Sequence, residues 1–166
     1  IDILEQKRIN IQIELDAGKI QAERNRLGQF ATPIALALDI LQYAKTILPD
    51  NVELRFLDPA IGTGAFYSAF TTVFPRQRIA EALGFEIDPH YGKPASELWR
   101  KSAITIKIAD FTHEYPSPRF NIVICNPPYV RHHHLENGTK LRLQTRTKEA
   151  SGIKISGLAG LYCHFL

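Results

Sequence analysis

The spacing of apolar residues divides the chain into a helical opening and a body in which strands and helices alternate. Ile9, Ile13, Ala17 and Ile20 follow one another at three- and four-residue steps, and Leu27 lies two turns further on. That spacing predicts one apolar stripe on a helix whose other faces carry Glu, Lys and Arg. Such a stripe packs on a neighbour, inside the domain or beyond it. A turn is expected at Leu27-Gly28-Gln29. Thr32-Pro33 then offers a capping hydroxyl and a proline at the first helical position, which predicts a second helix through Leu41 and Ile47.

From Val52 short apolar runs alternate with helical ones, the pattern of a parallel sheet in an α/β domain. Strands are expected at Leu54 to Leu57, Ala82 to Glu86, Ile104 to Ile108 and Ile122 to Cys125, and helices at Ala65 to Phe74 and roughly Pro94 to Lys101. Ile104-Thr-Ile-Lys-Ile108 alternates as a half-exposed edge strand does. Ile122-Val-Ile-Cys125 is continuously apolar, which places it near the centre, covered on both faces.

Composition narrows the class without changing this picture. The 166 residues, 45% hydrophobic and 22% charged, suit one domain with a real core and exclude disordered classes. No apolar run reaches the roughly 20 residues of a bilayer span, and no signal-like block opens the chain, so a soluble, cytoplasmic protein without a membrane partner is expected. Cys125 and Cys163 are too few for a disulfide framework and lie in no ligand-spaced cluster. The formal charge of +3 permits an acidic partner without requiring one. The chain begins at Ile1, contains no methionine and stops inside the apolar stretch Gly157 to Leu166, so a piece of something longer is expected.

Candidate chemistry begins in Leu57-Asp-Pro-Ala-Ile-Gly-Thr-Gly-Ala-Phe66, directly after the first strand. Glycines there let the backbone turn sharply and approach a ligand, and the following helix presents free N–H groups. A dinucleotide site would want a third glycine where Tyr67 stands. Asp58 would repel a phosphate, yet it suits a cationic amino group. Glu86 follows Gly64 by 22 residues at the end of the second strand, where a carboxylate can take both hydroxyls of a ribose and Ile87 can lie against an adenine. The blander reading makes Glu86 a solvated strand end and Asp88-Pro89 a helix cap with a first-turn proline. Asp110, at the end of the third strand, can accept an adenine amino hydrogen. Asp58, Gly62, Gly64, Glu86 and Asp110 together imply an adenosine with a charged amino-acid tail, which is S-adenosyl-L-methionine.

The fourth strand delivers Asn126-Pro-Pro-Tyr129, the most specific string in the chain. Two prolines hold an extended backbone and remove two donors, leaving the Pro127 carbonyl beside the Asn126 side chain as a pair of acceptors. Two acceptors suit the two hydrogens of a planar amine. They would favour a localised lone pair and stabilise the positive charge that develops on nitrogen as it takes a methyl group. Tyr129 offers a face for a base to stack on.

With these motifs the chain, over nearly all of residues 24 to 130, resembles the gamma-ordered amino-methyltransferases that act on adenine N6 in DNA within bacterial restriction–modification systems. Gln29-Phe-Ala-Thr-Pro33 is similar to the family's motif before the first strand, where Phe30, Ala31, Thr32 and Pro33 line the methionine end of the cofactor. Asp58, Pro59, Ala60, Gly62, Gly64 and Phe66 match its glycine-loop motif, Glu86 and Ile87 its ribose and adenine pair, Asp110 and Phe111 its adenine-contacting pair, and Asn126, Pro127, Pro128 and Tyr129 its catalytic motif. The resemblance implies a Rossmann-like, doubly wound parallel sheet of order 3-2-1-4-5-7-6, here truncated after the fourth strand. It also implies an S-adenosylmethionine-dependent enzyme of a bacterial or archaeal cytoplasm that methylates an adenine flipped out of duplex DNA. Gly157 to Leu166 is similar to the family's following helix motif.

The expected organisation is a helical connector over 1–28 and an incomplete catalytic domain over 29–166. The target-recognition domain and any restriction nuclease would be fused or separate partners. Arg131, Lys140, Arg142, Arg146, Lys148 and Lys154 outnumber Glu136 and Glu149, which fits either a DNA-facing loop or a solvated one. His132-His-His134 suggests no metal site, because consecutive residues point in different directions and no partner ligand is spaced to complete one. The competing readings are a methyltransferase for an RNA guanine or a protein glutamine, or a non-catalytic cofactor- or DNA-binding part of a restriction assembly.

Overall fold

The structure, a computed structural model, describes residues 2–116 and 120–165. Two compact units divide the chain: Ile1–Lys19 with Ala31–Asn126, and Ile20–Phe30 with Pro127–Leu166. The division does not follow the connector boundary expected at residue 28: the first helix belongs to the unit that holds the sheet.

The first unit holds α1 (Ile3–Ala17), α3 (Ile34–Ile47), β1 (Leu54–Asp58), α4 (Ala65–Val73), β2 (Ile79–Glu86), α5 (Pro89–Leu98), β3 (Ile104–Ile108) and β4 (Ile122–Val123). All strand pairs are parallel, in the order β3-β2-β1-β4. The register sets Asp58 beside Gly84 and Glu86 beside Ile108, so the carboxyl ends of the strands share one edge. Parallel neighbours need crossovers, and α4 and α5 supply them. The core gathers Phe56, Tyr67, Phe70 and Phe74, with Phe56 and Phe70 stacked at 4.8 Å between ring centroids. Tyr67, at the place where a dinucleotide loop would want glycine, is a core residue with its ring edge-on to Trp99 at 5.0 Å.

The edge position expected for Ile104 to Ile108 is what the sheet shows. Four other expectations change. The single opening helix is broken at Gly18, and its apolar stripe is not the packed face: Ile13 is 62% exposed and Ile20 is exposed too, while Glu5 and Arg8 are buried. Thr32 caps no helix; α3 starts after Pro33, and the Thr32 hydroxyl is used elsewhere. The helix expected from Pro94 begins at Pro89 and carries Pro94 inside it, because Asp88 accepts from the His90 amide at 2.9 Å and Pro89 takes the first helical position. The β4 ladder is two residues long and forms an edge of the described sheet, with Val123 exposed, because β1 is the strand it pairs with.

The second unit contains α2 (Gln21–Leu27), a 3-10 turn at His132–His134, α6 (Asn137–Ser151) and a short turn at Leu161–His164. Gly28 ends α2 at φ 63°, and a Cβ there would lie 2.3 Å from the Tyr129 nitrogen, so only glycine fits. The basic segment expected as a loop is largely the helix α6, anchored by buried Leu143 and by Thr147 Oγ1, 2.7 Å from His164 Nδ1. Arg146 is buried on α6 and so leaves the set of candidate phosphate contacts. The helix expected near the end is a 3-10 turn whose start is tied by the Leu161 amide to the Val130 carbonyl at 2.9 Å; Leu166 lies outside the described residues. Both cysteines are free thiols. Among the described residues no helix is long and apolar enough to cross a membrane, and no group of three or more His, Cys, Asp or Glu could hold a metal ion.

Candidate cofactor and catalytic site

The glycine loop of the first unit is held by side chains from several elements. β1 ends at Asp58, which is 1% exposed; its Oδ1 accepts from the Ala60 amide at 3.0 Å and its Oδ2 has no partner among the described residues. Burial pushes this carboxyl up to about 8, the Ala60 amide pulls it down, and the charge of Glu86 raises it further. Gly62 and Gly64 take φ 54° and 94°, and a Cβ on Gly64 would come within 2.5 Å of Trp99 Nε1. Among the described residues nothing stands within 4 Å of a Cβ built on Gly62, so they leave open space over the loop at that point. Thr63, between the glycines, is buried: its hydroxyl accepts from Arg8 Nη1 at 3.0 Å and donates to Gln12 Oε1 at 2.7 Å, and its carbonyl accepts from Trp99 Nε1 at 2.9 Å.

Glu86 is no solvated strand end. It is 8% exposed, and its two oxygens accept from the Gly62 amide at 3.0 Å and the Asp88 amide at 2.8 Å. Burial raises its pKa, against those two amides and the nearby Lys19. Asp88, bonded to Lys19, is the expected helix cap. Ile87 is 63% exposed, an apolar face next to that carboxylate. Asp110 spends its side chain locally, with Oδ1 accepting from the Thr112 amide at 2.8 Å and hydroxyl at 2.7 Å. Phe111 stands edge-on to Phe85 at 5.4 Å. Phe66 is packed in the core, and Pro59 is buried as well.

Two buried acids stand at adjacent strand ends; Lys19 lies near Glu86, while one oxygen of Asp58 has no hydrogen-bond partner among the described residues. A ligand with an ammonium group for Asp58 and hydroxyls for the remaining lone pairs of Glu86 would meet both needs. The residues present therefore fit S-adenosylmethionine, with Ile87 available to its base.

Asn126 closes the first unit. The Ile124 amide donates to the Leu57 carbonyl at 3.0 Å and so continues the pairing of β4 with β1 toward Asn126. The Asn126 Nδ2 donates to Thr32 Oγ1 at 3.3 Å, which marks the oxygen end of the amide as the acceptor. Ala31 and Pro33 flank that hydroxyl in sequence. Cys125 is pushed up to about 12 by burial and, second, by the charge of Asp58, so the strand leading to Asn126 runs close to the glycine loop. In the second unit Pro127 and Pro128 are half-buried, the Pro128 carbonyl accepts from the Val130 amide at 3.0 Å, and Tyr129 is 54% exposed with its ring 6.0 Å from that of Tyr162. Phe30 is exposed there.

The type II methyltransferase M.AccI of Acinetobacter calcoaceticus is 30% identical over 162 residues, 95% of this chain and 28% of that protein. Over that stretch the chain is similar to a type II methyltransferase. M.XamI of Xanthomonas campestris pv. amaranthicola, a second member, is 29% identical over 84% of the chain and 26% of its own length. The chain thus spans little more than a quarter of these curated relatives. No family model matches it. Among solved structures, a Listeria monocytogenes protein described as a class I S-adenosylmethionine-dependent methyltransferase superposes with a TM-score of 0.62 at 20% identity, covering 86% of this chain and 43% of that one. The type IIG restriction endonuclease BpuSI gives 0.61 at 20% identity, over 82% of this chain and 18% of its own. The fold is that of the S-adenosylmethionine-dependent methyltransferases.

Sequence reasoning found the strand-end acids and the glycines but missed Thr63, Trp99, Arg8 and Gln12. Trp99 is the single tryptophan of the chain, the one signal that could have drawn notice. Arg8 and Gln12 sit on a helix face that reads as solvent-exposed.

Proposed function

We propose that this chain carries the cofactor-binding and catalytic part of a restriction–modification DNA methyltransferase that acts on the N6 amine of adenine. One observation carries the reading: the strand paired with β1 leads to Asn126 at the sheet edge that holds the buried, half-unpaired Asp58 and Glu86. Cofactor machinery and an amide suited to an amine thus share one edge, where open α/β sheets take their ligands. The choice of adenine N6 rests on Asn126-Pro-Pro-Tyr129 and on Gln29-Phe-Ala-Thr-Pro33, and the choice of DNA on the kinship with type II methyltransferases.

When bound, the cofactor supplies an electrophilic methyl group. Asp58 would hold the ammonium of its amino-acid tail, Glu86 would take the ribose hydroxyls, and Ile87 and Phe111 would face the adenine; Asp110, already tied to Thr112, would orient that corner. The Thr32 hydroxyl sets the rotation of the Asn126 amide. The Asn126 oxygen and the Pro127 carbonyl accept the two amine hydrogens of the target base and draw its lone pair out of conjugation. Positive charge then grows on the amine in the transition state, and these two acceptors stabilise it more strongly than they stabilise the ground state. Tyr129 stacks on a base extruded from the duplex. The C–S bond of the sulfonium would break as the N–C bond forms, leaving the thioether. No strong general base is required, because the amine becomes acidic only as it is methylated and then loses a proton to water.

The test is to express the gene encoding this chain in a host free of adenine methylation and to map modified bases in its genomic DNA. N6-methyladenine at one recurring sequence is the expected result. Soluble, cofactor-binding protein with unmodified DNA would overturn the DNA assignment and favour a guanine or glutamine amide acceptor.

A further inference from the structure

The opening helix has its chemistry inside out. Its exposed side carries Ile3 and Ile13, while Glu5 and Arg8, at 3% exposure for the arginine, are turned inward. Arg8 makes a two-point pair with Glu5, Nε to Oε2 at 2.8 Å and Nη2 to Oε1 at 2.7 Å, and uses Nη1 for the Thr63 hydroxyl at 3.0 Å. Gln12, one turn on, accepts from that same hydroxyl at 2.7 Å. At its far end α1 reaches the other half of the site. Asp16 Oδ1 accepts from the Tyr91 hydroxyl at 2.9 Å, the Leu15 carbonyl is 2.9 Å from His90 Nε2, and Lys19, just past the helix, pairs with Asp88, whose amide is held by Glu86. A helix held only for stability would turn its isoleucines inward, since a buried ion pair is no more stabilising than apolar residues of the same volume. The inward polar face is explained by what it grips.

We infer that α1 is a positioning element of the cofactor site, in which Arg8 and Gln12 fix the glycine loop through the Thr63 hydroxyl while Lys19 steadies the Glu86–Asp88 end. The inference rests on the cofactor reading above and adds to it a segment that precedes every cofactor motif. Thr63 stands between the two left-handed glycines, so a loop free to turn at both neighbours is pinned at the residue between them. Trp99 grips the same residue through its carbonyl. Arg8 is thus a positioning residue and touches no ligand itself.

Trp99, as the one tryptophan, gives the experiment its signal. S-adenosylhomocysteine is titrated into the chain while indole emission is followed, for wild type, for Glu5→Gln with Arg8→Met, and for Thr63→Val. The double variant removes the ion pair without stranding a buried carboxylate; Thr63→Val removes the gripped hydroxyl and leaves the pair intact. Both are expected to weaken ligand affinity about tenfold or more with thermal midpoints near wild type, and the combined triple variant to lose no more than either alone, as groups acting through one contact do. Wild-type affinity in the variants overturns the inference alone. A wild-type chain that binds no S-adenosylhomocysteine overturns the cofactor reading and the inference with it. If the double variant fails to fold, Thr63→Val decides by itself: wild-type affinity in that variant overturns the role of the hydroxyl.

Discussion

Helices α4 and α1 both bear on the glycine loop, and they do so by opposite means. α4 continues straight out of Gly64 and buries Phe66, Tyr67, Ala69 and Phe70 beneath the sheet, so its hold on the loop is hydrophobic and inseparable from the core. α1 comes from the start of the chain and holds the loop through a guanidinium, an amide and a hydroxyl, while its Ile3 and Ile13 are exposed. The first arrangement is built for stability. The second sacrifices hydrophobic burial for geometry, which is worth doing only where a ligand needs a fixed backbone.

The contrast is tested most severely at Phe70. Its ring stacks on Phe56 and lies 5.3 Å from Phe74, and truncation to alanine should cost about 3–5 kcal/mol of unfolding free energy in a denaturant titration. A loss under about 1 kcal/mol would show that α4 is not the hydrophobic anchor of the loop.

Next in size is the pH response of Asp58, the residue the two helices leave unpaired. In the ligand-free chain its carboxyl titrates at about 8 against an ordinary value of 3.8. The folded state therefore favours the protonated form; this contribution to stability is full below about pH 3.8 and fades as pH rises through about 8. Binding an ammonium ligand needs the ionised form and so releases the proton. The Kd for S-adenosylhomocysteine should then tighten by up to about tenfold per pH unit on approaching pH 8 from below, and Asp58→Asn should flatten that slope and weaken binding. A wild-type affinity independent of pH across this window would remove the ammonium from Asp58.

The smallest effect is expected at Ile13, the most tempting apolar position on α1. Because it is exposed in the first unit, Ile13→Gln should change stability by no more than about 0.5 kcal/mol and leave ligand affinity unaltered. A large loss would mean that the apolar stripe, and not the polar face, is the working side of α1.

The same contrast explains what could be seen in advance. Strand periodicity announces a sheet because burial dictates it: Ile104-Thr-Ile-Lys-Ile108 alternates and is the edge strand it promises to be. Asp58, Gly62, Gly64 and Glu86 are legible because their spacing after strands restricts what they can do. Arg8 and Gln12 are not, since a polar residue on a helix reads as solvated unless its partner, more than 50 residues away, is known. Pro94 reads as a first-turn residue, whereas the helix starts at Pro89 behind the Asp88 cap and carries Pro94 inside it. The continuous apolar run of β4 promised two covered faces, and the described strand has one neighbour.

The central claim is that the strand-end acids hold the cofactor while Asn126 acts on the amine, and it is tested most directly by separating those two tasks. Purified wild type and Asn126→Ala would be compared for methyl transfer to adenine in duplex DNA and, in parallel, for S-adenosylhomocysteine affinity. The account predicts a fall in transfer of about 10²–10³-fold with a Kd within about twofold of wild type. Transfer at the wild-type rate in the Asn126→Ala variant would contradict it.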